Sequence, residues 1–458
     1  MAEDMEYDYW DSSQTRPLLR SEGDKAFHEG KYEDAIKIYT ESLVSVEETN
    51  RSCAPIYGNR ATSRLMLKQY DEAKKDAKKA IELDTNCIGP YFTLVRCELA
   101  QGSNEPAEDI LNAAKKIDPH HVDFTKESER LRQIKNSKKA VESAYTEKKF
   151  EEMAQNAIFL VNQAPDCDLY QVMYAESLAL LGEFEEAFNK ADSVRRRDQN
   201  NLEARYVCGY CLYYQGNLSL ADDTFASVLN DDPSHSKSET ILKIIRTFKT
   251  LHDNASQACE NGDFGRAIHF YTSALTVDET NKCYLAQLHF NRGLIAGKKL
   301  KWFKNAIKDF TEVLKLDSEH VIATYNRAKC LAFIGEYKEA SDDFLGLYQK
   351  TGKQDHQNLY FEALDAEQNL RISLELLSLA NTRIDKSNIE AAYEKRLFEL
   401  CKDFDLGANT QTRKQQEQEE QLQSLERARL FLHGHLKRRD GDGDQYDVLS
   451  LKEVSQMI

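Results

Sequence analysis

The stretch Gly335-Glu-Tyr337-Lys-Glu-Ala340-Ser-Asp-Asp-Phe344 recurs, with substitutions, along the whole chain. Its pattern is a Gly or Asn, an aromatic or Leu, two residues, Ala, three residues and an apolar side chain. Earlier copies read Gly30-Lys-Tyr32-Glu-Asp-Ala35-Ile-Lys-Ile-Tyr39, Gly216-Asn-Leu218-Ser-Leu-Ala221-Asp-Asp-Thr-Phe225 and Gly262-Asp-Phe264-Gly-Arg-Ala267-Ile-His-Phe-Tyr271. A shorter copy is Gly182-Glu-Phe184-Glu-Glu-Ala187. An Ala at a fixed place suits the closest approach of two packed helices, where a larger side chain forces them apart. The aromatic one turn later fills the groove against the next pair. Pro119, Pro165 and Pro233 stop the second helix of their units.

The spacing of the Ala position predicts the architecture. It runs Ala35, Ala73, Ala107, Met153, Ala187, Ala221, Ala267, Ala306 and Ala340, in steps of 38, 34, 46, 34, 34, 46, 39 and 34 residues. A period near 34 with an A-x3-F core is the tetratricopeptide signature. The 46-residue steps each hold one repeat and 12 further residues, Val122–Gln133 and Ser236–Thr247. Neither segment contains Pro or Gly, so each extends a helix by about 18 Å. The expected fold is all-α: a tetratricopeptide repeat superhelix of about nine helix pairs arranged 3+3+3, followed by a small J-like helical domain. Residues 1–15 read as an N-terminal tail and 16–121 as the first group. Residues 122–235 and 236–354 read as the second and third groups, each led by its insertion. The array ends near Gly352. Residues 371–433 change pattern: an apolar turn Leu374–Leu379, a cap at Asp385, a helix Ile389–Phe404 and a Gln/Glu-rich helix ending in Leu425–Leu432. Residues 434–458 read as an acidic or polar tail.

Composition agrees. The 458 residues are too many for one ordinary core, and a repeat array accommodates the length because each unit packs only on its neighbours. Aromatic residues make up 10% of the chain, which argues against disorder. A formal charge of −16 repels nucleic acid and anionic lipid, so neither is an expected partner. The ten cysteines are scattered and read as free thiols. Cys208-Gly-Tyr-Cys211 has no second pair and lies in a helical pattern, where small buried side chains are expected. The acidic start, Met1-Ala-Glu-Asp-Met-Glu-Tyr-Asp, resembles neither a signal nor a transit peptide, and no apolar run is long enough to span a bilayer. A cytoplasmic protein is expected.

Several strings carry a closer resemblance: Gly58-Asn-Arg-Ala61, Ala175-Glu-Ser-Leu-Ala-Leu-Leu-Gly182, Cys211-Leu-Tyr-Tyr214 and Asn291-Arg-Gly293. With the 3+3+3 spacing and the helical end, they resemble the DnaJ homolog subfamily C member seven family, also called tetratricopeptide repeat protein two, over about residues 16 to 433. The resemblance implies a co-chaperone. Its outer repeat groups would hold acidic C-terminal tails of the seventy- and ninety-kilodalton heat-shock chaperones, and its J domain would stimulate ATP hydrolysis by the former.

Both implied tasks need particular residues. A carboxylate clamp requires Lys, Arg and Asn donors on the concave helices. The resemblance places the clamp slots at Arg20, Asp24, Asn59, Gly89 and Thr93 in the first group. In the third group they fall at His252, Ser256, Asn291, Ile322 and Asn326. Each site keeps its second-repeat Asn and loses both third-repeat cations. Asp24 puts a carboxylate where a ligand carboxylate belongs. Each lost charge-assisted contact removes roughly 1.5–3 kcal/mol. Asn59 and Asn291 read either as residual ligand donors, with Arg20, or as helix-end hydrogen-bonding groups. In the J-like segment, Ile389-Glu-Ala-Ala-Tyr393 aligns with the family string, and the His-Pro-Asp slot holds Cys401, Lys402 and Asp403. Residues 390–405 sum to −2, the wrong sign for docking on an acidic chaperone surface. The segment reads as a J-like fold without ATPase stimulation, or as a plain helical cap on the solenoid.

Weaker features point elsewhere. Asp440-Gly-Asp442-Gly-Asp444 opens like a calcium loop but has Gln445 and Leu451 where Gly and Glu are required. His433-Gly-His435 is too short for a metal site. Arg195-Arg-Arg197 would suit an acidic partner. No phosphate loop, dinucleotide fingerprint, zinc-protease motif or nucleophile elbow is present. The sequence therefore reads as a scaffold that binds other proteins, with no catalytic residues, cofactor or metal. It resembles a co-chaperone that has lost ATPase stimulation. The alternative is a working co-chaperone that binds the heat-shock chaperones through altered clamps.

Overall fold

The computed structural model describes residues 12–44, 50–382, 384–402 and 411–440. These residues are helical with short turns, and no strand occurs among them. The first six helix pairs are α1 (Ser12–His28) with α2 (Tyr32–Val44), α3 (Ala54–Met66) with α4 (Tyr70–Leu83), α5 (Gly89–Ala100) with α6 (Asn104–Ile117), α7 (Val122–Thr146) with α8 (Phe150–Gln163), α9 (Asp168–Leu181) with α10 (Phe184–Arg197), and α11 (Leu202–Tyr214) with α12 (Leu218–Asp231). Three more follow: α13 (Ser236–Glu260) with α14 (Phe264–Ala274), α15 (Lys282–Lys298) with α16 (Phe303–Leu316), and α17 (Val321–Phe333) with α18 (Tyr337–Thr351). The chain then forms α19 (Gln354–Leu376), α20 (Lys386–Lys402) and α21 (Gln411–Asp440). Two compact units result, one of Met1–Leu212 with Ser219–His235 and one of Tyr213–Leu218 with Ser236–Ile458.

The recurring phrase maps onto one local geometry. Its first residue lies two positions before each second helix and has positive φ in all nine pairs. Six of these are glycines, and Lys68, Lys148 and Lys301 hold the same place at φ near +60°. The turn therefore needs the left-handed conformation more than it needs glycine. The Ala position is buried throughout, with Met153 at 2% exposure and every Ala at 0%. The aromatic works in two directions. Tyr39 shares an apolar cluster with Ile56 of the next pair, as expected. Tyr39, Phe225 and Phe310 also lie over Gly23, Gly209 and Gly293 in the first helices of their own pairs. The prolines follow two residues after α6, α8 and α12 end.

In the first unit the core runs continuously from Phe92 and Leu99 through Leu111, Ile134 and Leu160 to Tyr170. The segment 122–133 forms the first half of the 25-residue helix α7. Glu127 anchors it at 2% exposure, accepting from Arg96 Nε at 2.7 Å, while Arg130 donates to the Gln163 carbonyl at 2.7 Å. In the second unit, 236–247 likewise begins a 25-residue helix, α13.

The end of the chain is more continuous than its pattern suggests. Helix α19 runs unbroken through residues 355–370 and takes in the first half of the expected apolar turn. Ser378 at φ 57° makes the turn, with Leu377 and Leu379 buried. Asp385 caps α20 as expected, accepting from the Asn388 amide at 2.9 Å. Ile389 packs with Leu425, Ala428 and Leu432 of α21. Helix α21 then reaches back to the last repeat, where Phe431 clusters with Tyr337 of α18 and Ala366 of α19. His435 sits so close to Gly335 that a Cβ there would lie 2.4 Å from its Nδ1.

Candidate peptide-binding sites on the first and third repeat groups

The first-group site is built from α1, α2 and α3. Asp24 on α1 accepts from the Tyr39 hydroxyl at 2.6 Å and from Asn59 Nδ2 at 2.7 Å. Arg20, one turn earlier, has its Nε 4.0 Å from the second Asp24 oxygen. Three of the expected slots are thus brought together, bound to one another. Burial, then the bond to Asp24, pushes the Tyr39 hydroxyl far above its ordinary pKa, so it stays a donor. The third-repeat slots add no charge. Thr93 is buried and pairs with Thr62 at 3.0 Å, and Gly89 faces open space.

The third-group site repeats this frame with one exchange. Tyr271, Ser256 and Asn291 keep the spacing of Tyr39, Asp24 and Asn59. Burial raises the Tyr271 pKa, and side-chain hydrogen bonds with Ser256 and Asn291 pull the other way. The His252 ring stands edge-on to Tyr271 at 5.9 Å. Here the frame carries no carboxylate. Ile322 is 58% exposed, whereas Asn326 is buried and donates to the Ile322 carbonyl at 2.7 Å.

The residue after each Asn has a different duty, which sequence reasoning missed. Arg60 grips Asp76 of α4 through Nε and Nη2, both at 2.7 Å, and reaches Thr40 with Nη1 at 3.0 Å. Arg292 does the same to Asp309 and Thr272, and Arg327 to Asp343. The recurring Asn-Arg string was the available signal. Its Arg ties the two helices of a pair together, and its Asn faces the candidate site in α3 and α15.

In the J-like segment, Cys401 and Lys402 close α20, and Asp403 lies outside the described residues. An acid in the second turn of α20 is held by α21. Glu390 takes Arg429 at 3.1 Å and His433 Nε2 at 2.7 Å, and hydrogen bonds with Arg429 and then His433 keep its carboxyl below the usual range.

Comparison with known proteins places this architecture. The tetratricopeptide repeat family profile matches residues 64–124 and 286–320. The chain is 27% identical to DnaJ homolog subfamily C member 7 of Homo sapiens over 399 residues, covering 87% of this chain and 80% of that protein. It is 26% identical to the Mus musculus protein of the same name, over 89% of this chain and 81% of that one. The crystal structure of the P58(IPK) TPR domain superposes with a TM-score of 0.52 at 19% identity, over 77% of this chain and 98% of that one. The chain is a tetratricopeptide-repeat homologue of DnaJ homolog subfamily C member 7.

Other sequence candidates in this tetratricopeptide-repeat protein have structural partners. Cys208 and Cys211 are buried, and burial pushes both thiols up to about 12, which suits packing rather than thiolate chemistry. Arg195 and Arg196 both pair with Asp192, and Arg197 pairs with Asp168. His433 is engaged by Glu390, and His435 is packed over Gly335. Among the described residues no group of three or more His, Cys, Asp or Glu is placed to hold a metal ion. No described helix is long and apolar enough to cross a membrane. The Asp440–Asp444 run falls almost wholly outside the described residues.

Proposed function

We propose that the chain is a non-catalytic protein-binding scaffold of co-chaperone type, whose first repeat group is closed to carboxylate-ended peptides by its own Asp24. The observation that carries this reading is the Asp24 carboxylate, held by Tyr39 and Asn59; the family resemblance assigns this slot to the surroundings of a ligand carboxylate. A second carboxylate brought within about 4 Å of it costs on the order of 1–4 kcal/mol. The donor that would offset this, Asn59, already gives one of its two amide hydrogens to Asp24.

The test is a calorimetric titration of the full chain with an acidic peptide ending in a free carboxylate. Asp24→Asn keeps the shape and removes the charge. It is expected to tighten binding by roughly tenfold or more, the equivalent of about 1.4 kcal/mol. Micromolar binding by the unaltered protein, lost on Asn59→Ala, would instead support the working co-chaperone that uses Arg20, Asn59 and Asn291.

A further inference from the structure

The struts at Arg60 and Arg292 are nearly superimposable in sequence, and their surroundings differ in one informative way. Arg60 and Arg292 both grip an Asp and a Thr through the same three nitrogens. The turns that follow keep Lys68 at φ 60° and Lys301 at φ 59°, with Gln69 and Trp302 at matching places before the second helix. Counted from the struts, Ala296 falls opposite Arg64; the turn that follows is one residue longer in the third group, and counted from it Asn305 falls opposite Glu72 and Asp309 opposite Asp76.

In the first group the space beside the strut is filled from within. Arg64 sends Nη1 to Asp76 Oδ2 at 2.7 Å and towards the Glu72 carbonyl at 3.4 Å. In the third group the same place holds only the methyl of Ala296, and a cavity of about 230 Å³ opens there, lined by Thr272, Arg292, Ala296, Trp302, Asn305 and Asp309 among others. In the last repeat the equivalent position is Leu331, which packs into the apolar cluster around Phe344. The third-group cavity is therefore the void left by a missing long side chain.

Its chemistry matches the side chain that is missing. Asp309 Oδ1 takes both His289 at 2.9 Å and Arg292 at 2.6 Å, whereas among the described residues Oδ2 takes only Arg292 Nε, at 2.9 Å. The oxygen with spare capacity corresponds to the one Arg64 uses in the first group. By the turn register, the Asn305 carbonyl corresponds to that of Glu72. Trp302, half exposed, adds an indole wall against which a guanidinium can stack. Repulsion from Arg292 and from Lys308, which also lines the cavity, is no obstacle in kind: Arg60 and Arg64 share Asp76 in the first group, where Lys75 holds the position matching Lys308.

We propose that this cavity receives one arginine side chain of a protein partner, which enters where the chain's own Arg64 lies in the first repeat group. The site is separate from the Asn291 frame and stands whether or not acidic peptides bind there. A planar guanidinium can reach the carboxylate and the carbonyl together while its plane lies on Trp302. An ammonium can do this only in part.

The test uses the full chain with Trp10→Phe, so that Trp302 is the sole tryptophan. N-acetyl-arginine methylamide is expected to change Trp302 emission saturably, and the corresponding lysine amide to bind roughly tenfold or more weakly. Ala296→Arg, which fills the cavity from inside, is expected to abolish the response. If that protein does not fold, Ala296→Leu, which copies the last repeat, serves in its place. An unsaturable response, equal binding of the lysine probe, or undiminished binding by the filled variants would overturn the proposal.

Discussion

At the scale of single residues, stability rests on carboxylates that hold two helices at once. Asp76 is 4% exposed and serves both Arg60 and Arg64. Replacing it with Ala strands two guanidiniums that are themselves mostly covered, so Asp76→Ala is expected to cost about 3 kcal/mol in urea unfolding. Asp34→Ala, which removes only an exposed pairing with Lys37, should change stability by less than about 0.5 kcal/mol. Asp309 adds a pH signature. Burial pushes its carboxyl up, but the bonds from His289 and Arg292 outweigh this and hold it below the ordinary value. A group lowered by folding contributes its stability above its unfolded pKa, near 4, and loses it as pH falls through the folded value. Unfolding followed between about pH 4 and 2 should therefore be steeper for the unaltered protein than for Asp309→Asn.

At the scale of elements, turns and caps separate local requirements from tertiary ones. Gly182 and Gly335 both take φ near +90° in the same repeat turn. A Cβ on Gly182 meets nothing within 4 Å, whereas one on Gly335 runs into His435 of α21. Gly182→Ala should cost only the left-handed strain, about 1 kcal/mol. Gly335→Ala should cost about 1–3 kcal/mol more and release α21, seen as faster cleavage in limited proteolysis. A more rapid release by Gly182→Ala would contradict this account. The helices themselves were legible because burial imposes a period. The Ala positions, the prolines and the two insertions are one-dimensional signals of close approach and helix length. The unbroken α19 was not legible, because its exposed Phe361, Leu364 and Ile372 blur the period set by its buried Ala363 and Ala366. Within the site, the slots could be placed by spacing. That Asn59 bonds to Asp24, 35 residues away, could not be read from sequence, because nothing local distinguishes an amide facing solvent from one facing a neighbour. The cavity at Ala296 became visible only when two repeats were compared in space.

At the scale of the whole molecule, the proposed scaffold role predicts binding without triggering. The expected His-Pro-Asp slot reads Cys401-Lys402-Asp403, and Glu390, the fifth residue of α20, is tied down by α21. In a single-turnover assay with a seventy-kilodalton heat-shock chaperone, the chain is expected to leave ATP hydrolysis at its basal rate. Stimulation of the size given by an intact J protein would refute that expectation. The Asp24 carboxylate also has a consequence at the level of heredity. Aspartate and asparagine codons differ by one base in the first position. A pocket closed by this side chain is thus a single nucleotide transition away from one that is open, with the flanking Tyr39 and Asn59 already in place to receive a new occupant.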